Sequence, residues 1–156
     1  MNIRRCKPGD EENWIALNRE FMLFEIQEDS PWNGTEKTPD SVFKKTFQTA
    51  LQNPELITLF MIEEKNNMPI GFANLMTIFS VWAHGKALIL DDLYIKKEYQ
   101  SRGYGRTAME FIEKYAKGNH YKRLQFQSES TNPNAKKFYQ ALGFTAKDMF
   151  FYVRYL

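Results

Sequence analysis

Cysteine and histidine are scarce in this sequence. Its 156 residues contain one cysteine, Cys6, and two histidines, His84 and His120. A lone cysteine excludes an internal disulfide and fits a reducing compartment. The two histidines lie far apart, with no other ligand at a metal-binding spacing. We therefore expect neither a metal centre nor a Ser-His-Asp or Cys-His catalytic group.

Long apolar segments are also lacking. No run approaches the roughly 18 apolar residues of a membrane-spanning helix. The first residues, Met1–Arg5, are followed by polar chain rather than by the apolar core of a signal peptide. We therefore expect a cytoplasmic protein that does not associate with a membrane.

The net charge of +2 is too small to indicate a partner, but its distribution is uneven. Residues 96–137 carry ten Lys and Arg against four Asp and Glu, whereas residues 1–95 carry nine against fourteen. The basic segment suits a polyanionic ligand and the acidic half suits a cationic one. Nucleic acid is not expected, because the basic charge surrounds one glycine turn and no helix-turn-helix or zinc spacing is present.

Hydrophobic periodicity predicts an α+β fold, with a mixed, mostly antiparallel central sheet flanked by helices. The length and an apolar content of 43% fit a single domain over residues 1–156. The predicted strands are 1–7, 56–63, 69–79, 88–95, 123–128 and 144–155, and the predicted helices are 10–26, 41–53, 104–117 and 134–141. The last strand is rich in aromatic residues, and such a strand can pair across a homodimer.

A turn with two glycines joins the apolar strand 88–95 to the helix at 104–117. It reads Gln100-Ser101-Arg102-Gly103-Tyr104-Gly105-Arg106. The first N–H groups of a helix have no partner within it, and the helix dipole adds positive charge there. Glycine allows close approach of a ligand, and two arginines add full charges. The turn therefore predicts a phosphate-binding site, although a plain strand–turn–helix connection uses glycine in the same way.

A dinucleotide fingerprint also fits this turn, because Gly103-Tyr104-Gly105-Arg106-Thr107-Ala108 has the glycine spacing with alanine in the last place. We reject this interpretation for two reasons. Residues 96–102 separate the first glycine from its strand, and the chain after Asn119 is too short to complete a doubly wound sheet.

The pattern Gln-x-x-Gly-x-Gly between a strand and a helix resembles the GNAT superfamily of acyl-CoA-dependent N-acetyltransferases. A second motif downstream is similar to that family as well, Asn132-Pro133-Asn134-Ala135-Lys136-Lys137-Phe138-Tyr139 followed by Leu142-Gly143-Phe144. The two motifs occur in the family's order, and the resemblance covers roughly residues 86–144. It implies direct transfer of an acetyl group from acetyl-CoA to an amine.

The resemblance also implies which residues contact the two substrates. Coenzyme A contacts are expected from Leu93, Tyr94, Ile95, Gln100, Ser101, Arg102, Gly103, Tyr104, Gly105, Arg106, Asn132, Asn134 and Lys137. Acceptor contacts are expected from Glu25, Glu28, Asp29 and Trp32, with surface charge and one anchoring tryptophan as the alternative explanation of these residues. Asn132 also fits a helix cap. A strand N–H freed by a bulge near residues 93–95 is expected to stabilise the thioester oxygen.

Two adjacent acids, Asp91 and Asp92, interrupt the apolar strand. An amine with a pKa near 10.4 must lose a proton before it attacks, and a carboxylate can accept that proton. The sequence around these acids is similar to the polyamine and small-amine branch of the family, in which the first acid, here Asp91, serves in proton removal or amine binding. Neighbours on a strand face opposite sides, so we expect one acid to face the acceptor. A solvent-facing edge is the structural alternative.

The family places a tyrosine at the position of Tyr139, where it protonates or hydrogen-bonds the leaving thiolate. These residues together predict an N-acetyltransferase whose acceptor is a small cationic amine. A protein or peptide amine is the alternative acceptor. A non-catalytic acyl-CoA-binding module is the alternative of another class.

Overall fold

The structure is a computed structural model, which describes residues 1–25, 34–130 and 132–154, with the side chains of Glu25 and Glu36 excepted. It contains two compact units, Met1–Phe126 and Gln127–Leu156. The described residues form five strands and four α-helices. In chain order these are β1 (Asn2–Arg5), α1 (Glu11–Glu25), α2 (Asp40–Gln52), β2 (Ile57–Glu63), β3 (Pro69–Ser80), β4 (Gly85–Ile95), α3 (Tyr104–Gly118), β5 (Arg123–Phe126) and α4 (Pro133–Ala141).

The five strands form one sheet in the order β1-β2-β3-β4-β5. The first three pairs are antiparallel and β4 pairs with β5 in parallel. Short turns join β2 to β3 and β3 to β4, whereas α3 connects the parallel pair, as a parallel crossover requires. The predicted α+β fold with a mixed, mostly antiparallel sheet is therefore confirmed.

The predicted final strand at 144–155 is wrong for the residues that the structure describes, since 144–154 contain no strand. The aromatic and β-branched composition of this segment favours a strand. Composition alone does not make one, because a strand exists only when a neighbour completes its ladder of hydrogen bonds. Pairing of this segment across a homodimer stays a prediction.

Each face of the sheet is covered by helices. On one face, α1 and α2 pack their apolar stripes on β2, β3 and β4, in a core that contains Trp14, Leu17, Phe43, Phe47, Leu59, Met61, Phe72 and Tyr94. On the other face α3 packs through Ala108, Met109, Ile112 and Ala116, which are all buried. This second core includes Ile62, Ile70 and Ile95. Residues of β4 therefore contribute to both cores.

A charge cluster attaches β1 to β2 and to the turn before α1. The Arg4 guanidinium donates to both carboxylate oxygens of Asp10, at 2.7 and 2.8 Å, and to Glu63 Oε1 at 2.5 Å. Both carboxylates are buried. The Arg4 hydrogen bonds lower the pKa of Asp10, against an opposing effect of burial.

Candidate active site

A β-bulge in β4 places the two acids. Asn74 pairs with Asp92 and Leu75 pairs with Leu90, so Asp91 is the extra residue on β4. The bulge resets the alternation of side chains along the strand. Leu90 therefore lies on the α3 face, whereas Asp92 lies on the α1 face beside Asn74. Regular alternation therefore fails between Leu90 and Asp92, because Asp91 is inserted between them, and the expectation that only one of the two acids faces the acceptor stays a prediction.

Asp92 belongs to a hydrogen-bond network with β3 and α1. Asn74 Nδ2 donates to Asp92 Oδ2 at 2.8 Å and also contacts Asn18 Oδ1 at 3.3 Å. Trp14 Nε1 donates to Asn74 Oδ1 at 3.0 Å, and Asn18 Nδ2 donates to the Trp14 carbonyl at 2.7 Å. Trp14 and Asn18 are buried, so the network lies against the first core.

The surroundings of Asp92 change its acidity. Burial raises the pKa of Asp92 to about 6, the hydrogen bond from Asn74 opposes this rise, and the nearby charge of Asp91 adds to it. Partial burial also raises the pKa of Asp91, although this side chain is exposed to solvent. Asp92 is thus a carboxylate that can take up a proton near neutral pH.

The edge of β4 opens immediately after the bulge. Strand β5 pairs with residues 87–90 only, so residues 91–95 have no strand on that side among the described residues. The Lys96 N–H bonds to the Ile70 carbonyl of β3 at 2.8 Å. Because successive N–H groups alternate along a strand, those of Leu93 and Ile95 point away from β3, toward the open side.

A bulge is present in β4, as predicted, but it lies at Asp91, two residues before Leu93. Residues 93–95 pair regularly with residues 73–71 of β3, and the bulge lies earlier, at Asp91. Among the described residues, the N–H groups of Leu93 and Ile95 have no strand partner for another reason, namely that β5 ends at Phe126, opposite Leu90. Sequence pattern does not reveal how far two strands stay paired.

Gly71 of β3 lies against this part of β4. A Cβ at this position would be 2.2 Å from the Tyr94 carbonyl oxygen and 2.9 Å from Ile95 Cδ1. No side chain fits there without movement of the β4 backbone. Glycine at 71 therefore keeps β3 and β4 close beside the free N–H groups.

Helix α3 begins directly after the glycine turn, and no side chain caps its N-terminus. Ser101 and Gly103 have positive φ angles of 60° and 85°, and Gly103 is the residue before α3. No side chain caps the helix, and within the described residues no acceptor takes the N–H groups of Tyr104, Gly105 and Arg106. Exposed Arg102 and Arg106 add positive charge. These groups fit a phosphate or pyrophosphate ligand.

Three side chains of the turn contact protein groups. Gln100 Nε2 donates to the Ile95 carbonyl at 2.8 Å, which ties the turn to the end of β4. The Tyr104 hydroxyl donates to Glu64 at 2.7 Å, and the Arg102 guanidinium lies 5.3 Å from the centre of the Tyr99 ring. These side-chain atoms of Gln100 and Tyr104 are thus already bonded within the protein. The backbone N–H of Gln100 is also donated, to the Lys97 carbonyl, whereas that of Tyr104 has no acceptor among the described residues.

The second motif lies in the second compact unit. Asn132 Oδ1 accepts from the Ala135 N–H at 3.0 Å, so this residue caps α4, as its alternative interpretation predicts. Asn134 and Lys137 are exposed on α4. The half-buried Tyr139 ring makes an edge contact with Phe138, with the ring centres 5.0 Å apart. The roles of Asn132, Asn134, Lys137 and Tyr139 toward a cofactor stay predictions.

The predicted acceptor contacts lie outside the described residues. Glu28, Asp29 and Trp32 belong to the segment 26–33, and Glu25 ends α1 with its side chain outside the description. Within residues 1–25, 34–130 and 132–154, no group of three or more His, Cys, Asp or Glu could hold a metal ion. No helix in that part of the chain has the length and apolarity of a membrane span.

Sequence reasoning missed the partners of Asp92. Asn74 is a polar residue inside the apolar run Ile70–Met76, and an interior polar group needs a hydrogen-bond partner. This pattern is a usable signal for Asn74. The sequence does not single out Trp14 or Asn18, because one amide residue beside the apolar stripe of a core helix is common.

Known proteins share both the sequence and the fold. Residues 19–144 match the model of the acetyltransferase (GNAT) family. An uncharacterized N-acetyltransferase of Bacillus subtilis, YhfO, is 30% identical over 92% of this chain and 89% of its own length. The thialysine N-epsilon-acetyltransferase of Bos taurus is 26% identical over 90% of this chain and 82% of its own.

A solved structure of an aminoglycoside acetyltransferase from an uncultured soil metagenomic sample has a TM-score of 0.76. It covers 99% of this chain and 95% of its own at 18% identity, which shows a shared fold. The chain belongs to the acetyltransferase (GNAT) family, on the family match and the Bacillus relative. It is an enzyme of the N-acetyltransferase class.

Proposed function

We propose that this enzyme transfers an acetyl group from acetyl-CoA to the primary amine of a small cationic molecule by direct attack. The observation that carries the proposal is the arrangement on β4. Two acids at a bulge, Asp91 and Asp92, immediately precede the open strand edge at Leu93 and Ile95. A proton acceptor and hydrogen-bond donors for an acyl oxygen are thus neighbours on one strand.

The start of α3 is the proposed site for the pyrophosphate of coenzyme A. Free N–H groups at residues 104–106, the helix dipole and two exposed arginines all favour that anion. Acetyl-CoA supplies the activated acetyl group. The Leu93 and Ile95 N–H groups are placed to donate to an acyl oxygen as it gains negative charge, and one such donor is worth about 3 kcal/mol in other enzymes.

Within this proposal the two acids have different roles. Asp92, whose pKa is about 6, takes the proton from the amine, because a base works best when its pKa lies near the working pH. Asp91 is exposed at the bulge and attracts the cationic acceptor by its charge. The family resemblance instead implies that Asp91 removes the proton, binds the amine, or does both. The two acids must therefore be tested in separate variants.

The remaining predicted residues complete the proposal. Tyr139 protonates or hydrogen-bonds the departing thiolate, and Asn132, Asn134 and Lys137 contact coenzyme A. Glu25, Glu28, Asp29 and Trp32 line the acceptor site. We assign the whole activity to one domain, 1–156.

Support for a small cationic acceptor comes from the relatives and from charge. The bovine relative is named for thialysine, and the structural neighbour is an aminoglycoside acetyltransferase in complex with sisomicin. Residues 1–95 carry nine basic against fourteen acidic side chains, which suits a cation. Peptide amines are the competing acceptors, since they present the same ammonium group.

The test is thiol release from acetyl-CoA by the purified protein against spermidine, thialysine, an aminoglycoside and short lysine peptides. Asp91→Asn, Asp92→Asn and Tyr139→Phe accompany the parent, and Glu55→Gln is the matched control because Glu55 is exposed in a turn away from β4. Turnover of a small amine that is lost in Asp92→Asn supports the proposal. Turnover of peptides alone overturns the acceptor assignment. Cofactor binding without turnover of any amine favours a binding module.

A further inference from the structure

The hydrogen bonds around Asn74 allow only one orientation of its amide. Trp14 Nε1 carries a hydrogen and cannot accept, so the Asn74 atom that it contacts at 3.0 Å must be the carbonyl oxygen. The amide NH₂ group of Asn74 therefore faces Asp92 and Asn18, at 2.8 and 3.3 Å. Asn74 can only donate to Asp92.

This donation distinguishes the two oxygens of Asp92. Oδ2 accepts from Asn74, and no described residue donates to Oδ1. A carboxylate that is held by one oxygen keeps its orientation, and the other oxygen remains available to a substrate or a water. Asn18 accepts from the amide of Asn74 and Trp14 donates to its oxygen, so the Asn74 amide is held in this orientation.

We propose that Asn74 is the positioning residue of this site, which holds Asp92 by Oδ2 so that Oδ1 accepts the proton of the amine. The inference rests on the proposed function. In this step the N–H bond of the amine breaks, its proton moves to Oδ1, and the nitrogen keeps the electron pair with which it attacks. Asn74 itself makes no contact with the reacting atoms.

The groups that face Asp92 allow the effect of Asn74 on its titration to be measured separately from other charges. Trp14 and Asn18 on α1 and Asn74 on β3 are uncharged. Among the described residues, Asp91 on the same strand is the titratable group whose charge affects Asp92. A change at position 74 therefore alters one hydrogen bond to Asp92 and leaves the charges around it unchanged.

The decisive variant is Asn74→Leu, which removes the donor and keeps the same number and branching of side-chain heavy atoms. Loss of a hydrogen bond to a carboxylate should raise the Asp92 titration midpoint by about one pH unit or more. We expect the acidic limb of the kcat/KM profile to move by the same amount, with a fall of about tenfold at pH 5 and about twofold at pH 7. Asn18→Leu is the matched control, since it removes a buried amide from the same network but leaves the bond from Asn74 to Asp92.

Two readouts separate the inference from the proposed function. The Asp92 midpoint is followed by carbon-13 NMR of the aspartate carboxyls, assigned by comparison with Asp92→Asn, and the rate by thiol release with an amine. If the Asp92 midpoint and the rate profile both shift in Asn74→Leu, and neither shifts in Asn18→Leu, the inference holds. If the parent enzyme turns over but Asn74→Leu leaves both unchanged, the inference is wrong and the function stands. If the parent acetylates no amine, the proposed function fails, and with it the proton-accepting role.

A second variant covers the case in which Asn74→Leu does not fold. Trp14→Phe removes the N–H that fixes the Asn74 oxygen and retains an aromatic ring in the core. The Asn74 amide can then rotate and present its oxygen to Asp92. We expect the Asp92 midpoint to rise in this variant too, by less than in Asn74→Leu, and an unchanged midpoint overturns the inference.

Discussion

The substitution Asp92→Asn should stabilise the protein at alkaline pH. Burial raises the pKa of Asp92 to about 6 from an ordinary value of 3.8, so the folded state holds its proton more tightly than the unfolded state. The free energy of unfolding therefore falls as pH rises from about 4 to 6, and the full destabilisation is present above pH 6. Asparagine has no charge to bury, and its oxygen can still accept from Asn74.

The size of the stabilisation by Asp92→Asn follows from the pKa shift of Asp92. About two pKa units at roughly 1.4 kcal/mol each give an upper bound of about 3 kcal/mol. Because Asp92 is only partly buried, we expect about 2 kcal/mol at pH 8. For a domain of this size that corresponds to a rise in Tm of roughly 4–8 °C.

Thermal unfolding by circular dichroism at pH 4 and pH 8 measures this effect. The Tm of Asp92→Asn should exceed that of the parent at pH 8, and the difference should nearly vanish at pH 4. Asp91→Asn is the control, since Asp91 is exposed and its substitution should give a smaller change. A lower Tm for Asp92→Asn at pH 8, or a difference that does not depend on pH, would refute the reasoning.

Three further outcomes are expected. Gly71→Ala should cost about 1–3 kcal/mol in chemical denaturation and lower kcat, because its Cβ would overlap a β4 carbonyl, whereas Gly9→Ala has open space. Asp10→Asn should lower the free energy of unfolding by about 2 kcal/mol at pH 7, because the bonds from Arg4 to the carboxylate are lost. Since the pKa of Asp10 is lowered in the folded state, the difference between variant and parent in urea titrations should shrink as pH falls below about 4. Tyr139→Phe should slow thiol release without abolishing it, and an unchanged rate at every pH would contradict its role.

Most strands and helices were predictable because their signals are local. The stripe at Ala108 and Ile112 and the glycines that flank α3 predict that helix to within a residue. The segment 144–154 shows the opposite case, since its composition favours a strand that the described structure lacks. Helices satisfy their own backbone, whereas a strand depends on a neighbour that local sequence does not specify.

The candidate site divides in the same way. The glycine turn and the adjacent acids are consecutive residues, so sequence alone indicated an anion site and a carboxylate pair. The partners of Asp92 come from α1 and β3, at positions 14, 18 and 74. No spacing rule connects such distant positions, because folding alone brings them together.

Sequence by itself indicated the family, the strands and helices up to α4, and two neighbouring acids before a glycine turn. Tertiary structure decided that Asp91 is the bulged residue and that Asp92 faces α1. It also decided that, in the described part of the chain, no strand continues β5 alongside β4 beyond Leu90. The physical reason is that strand register and strand ends depend on the packing of the whole sheet. A shift of one residue in that register exchanges the faces on which side chains lie.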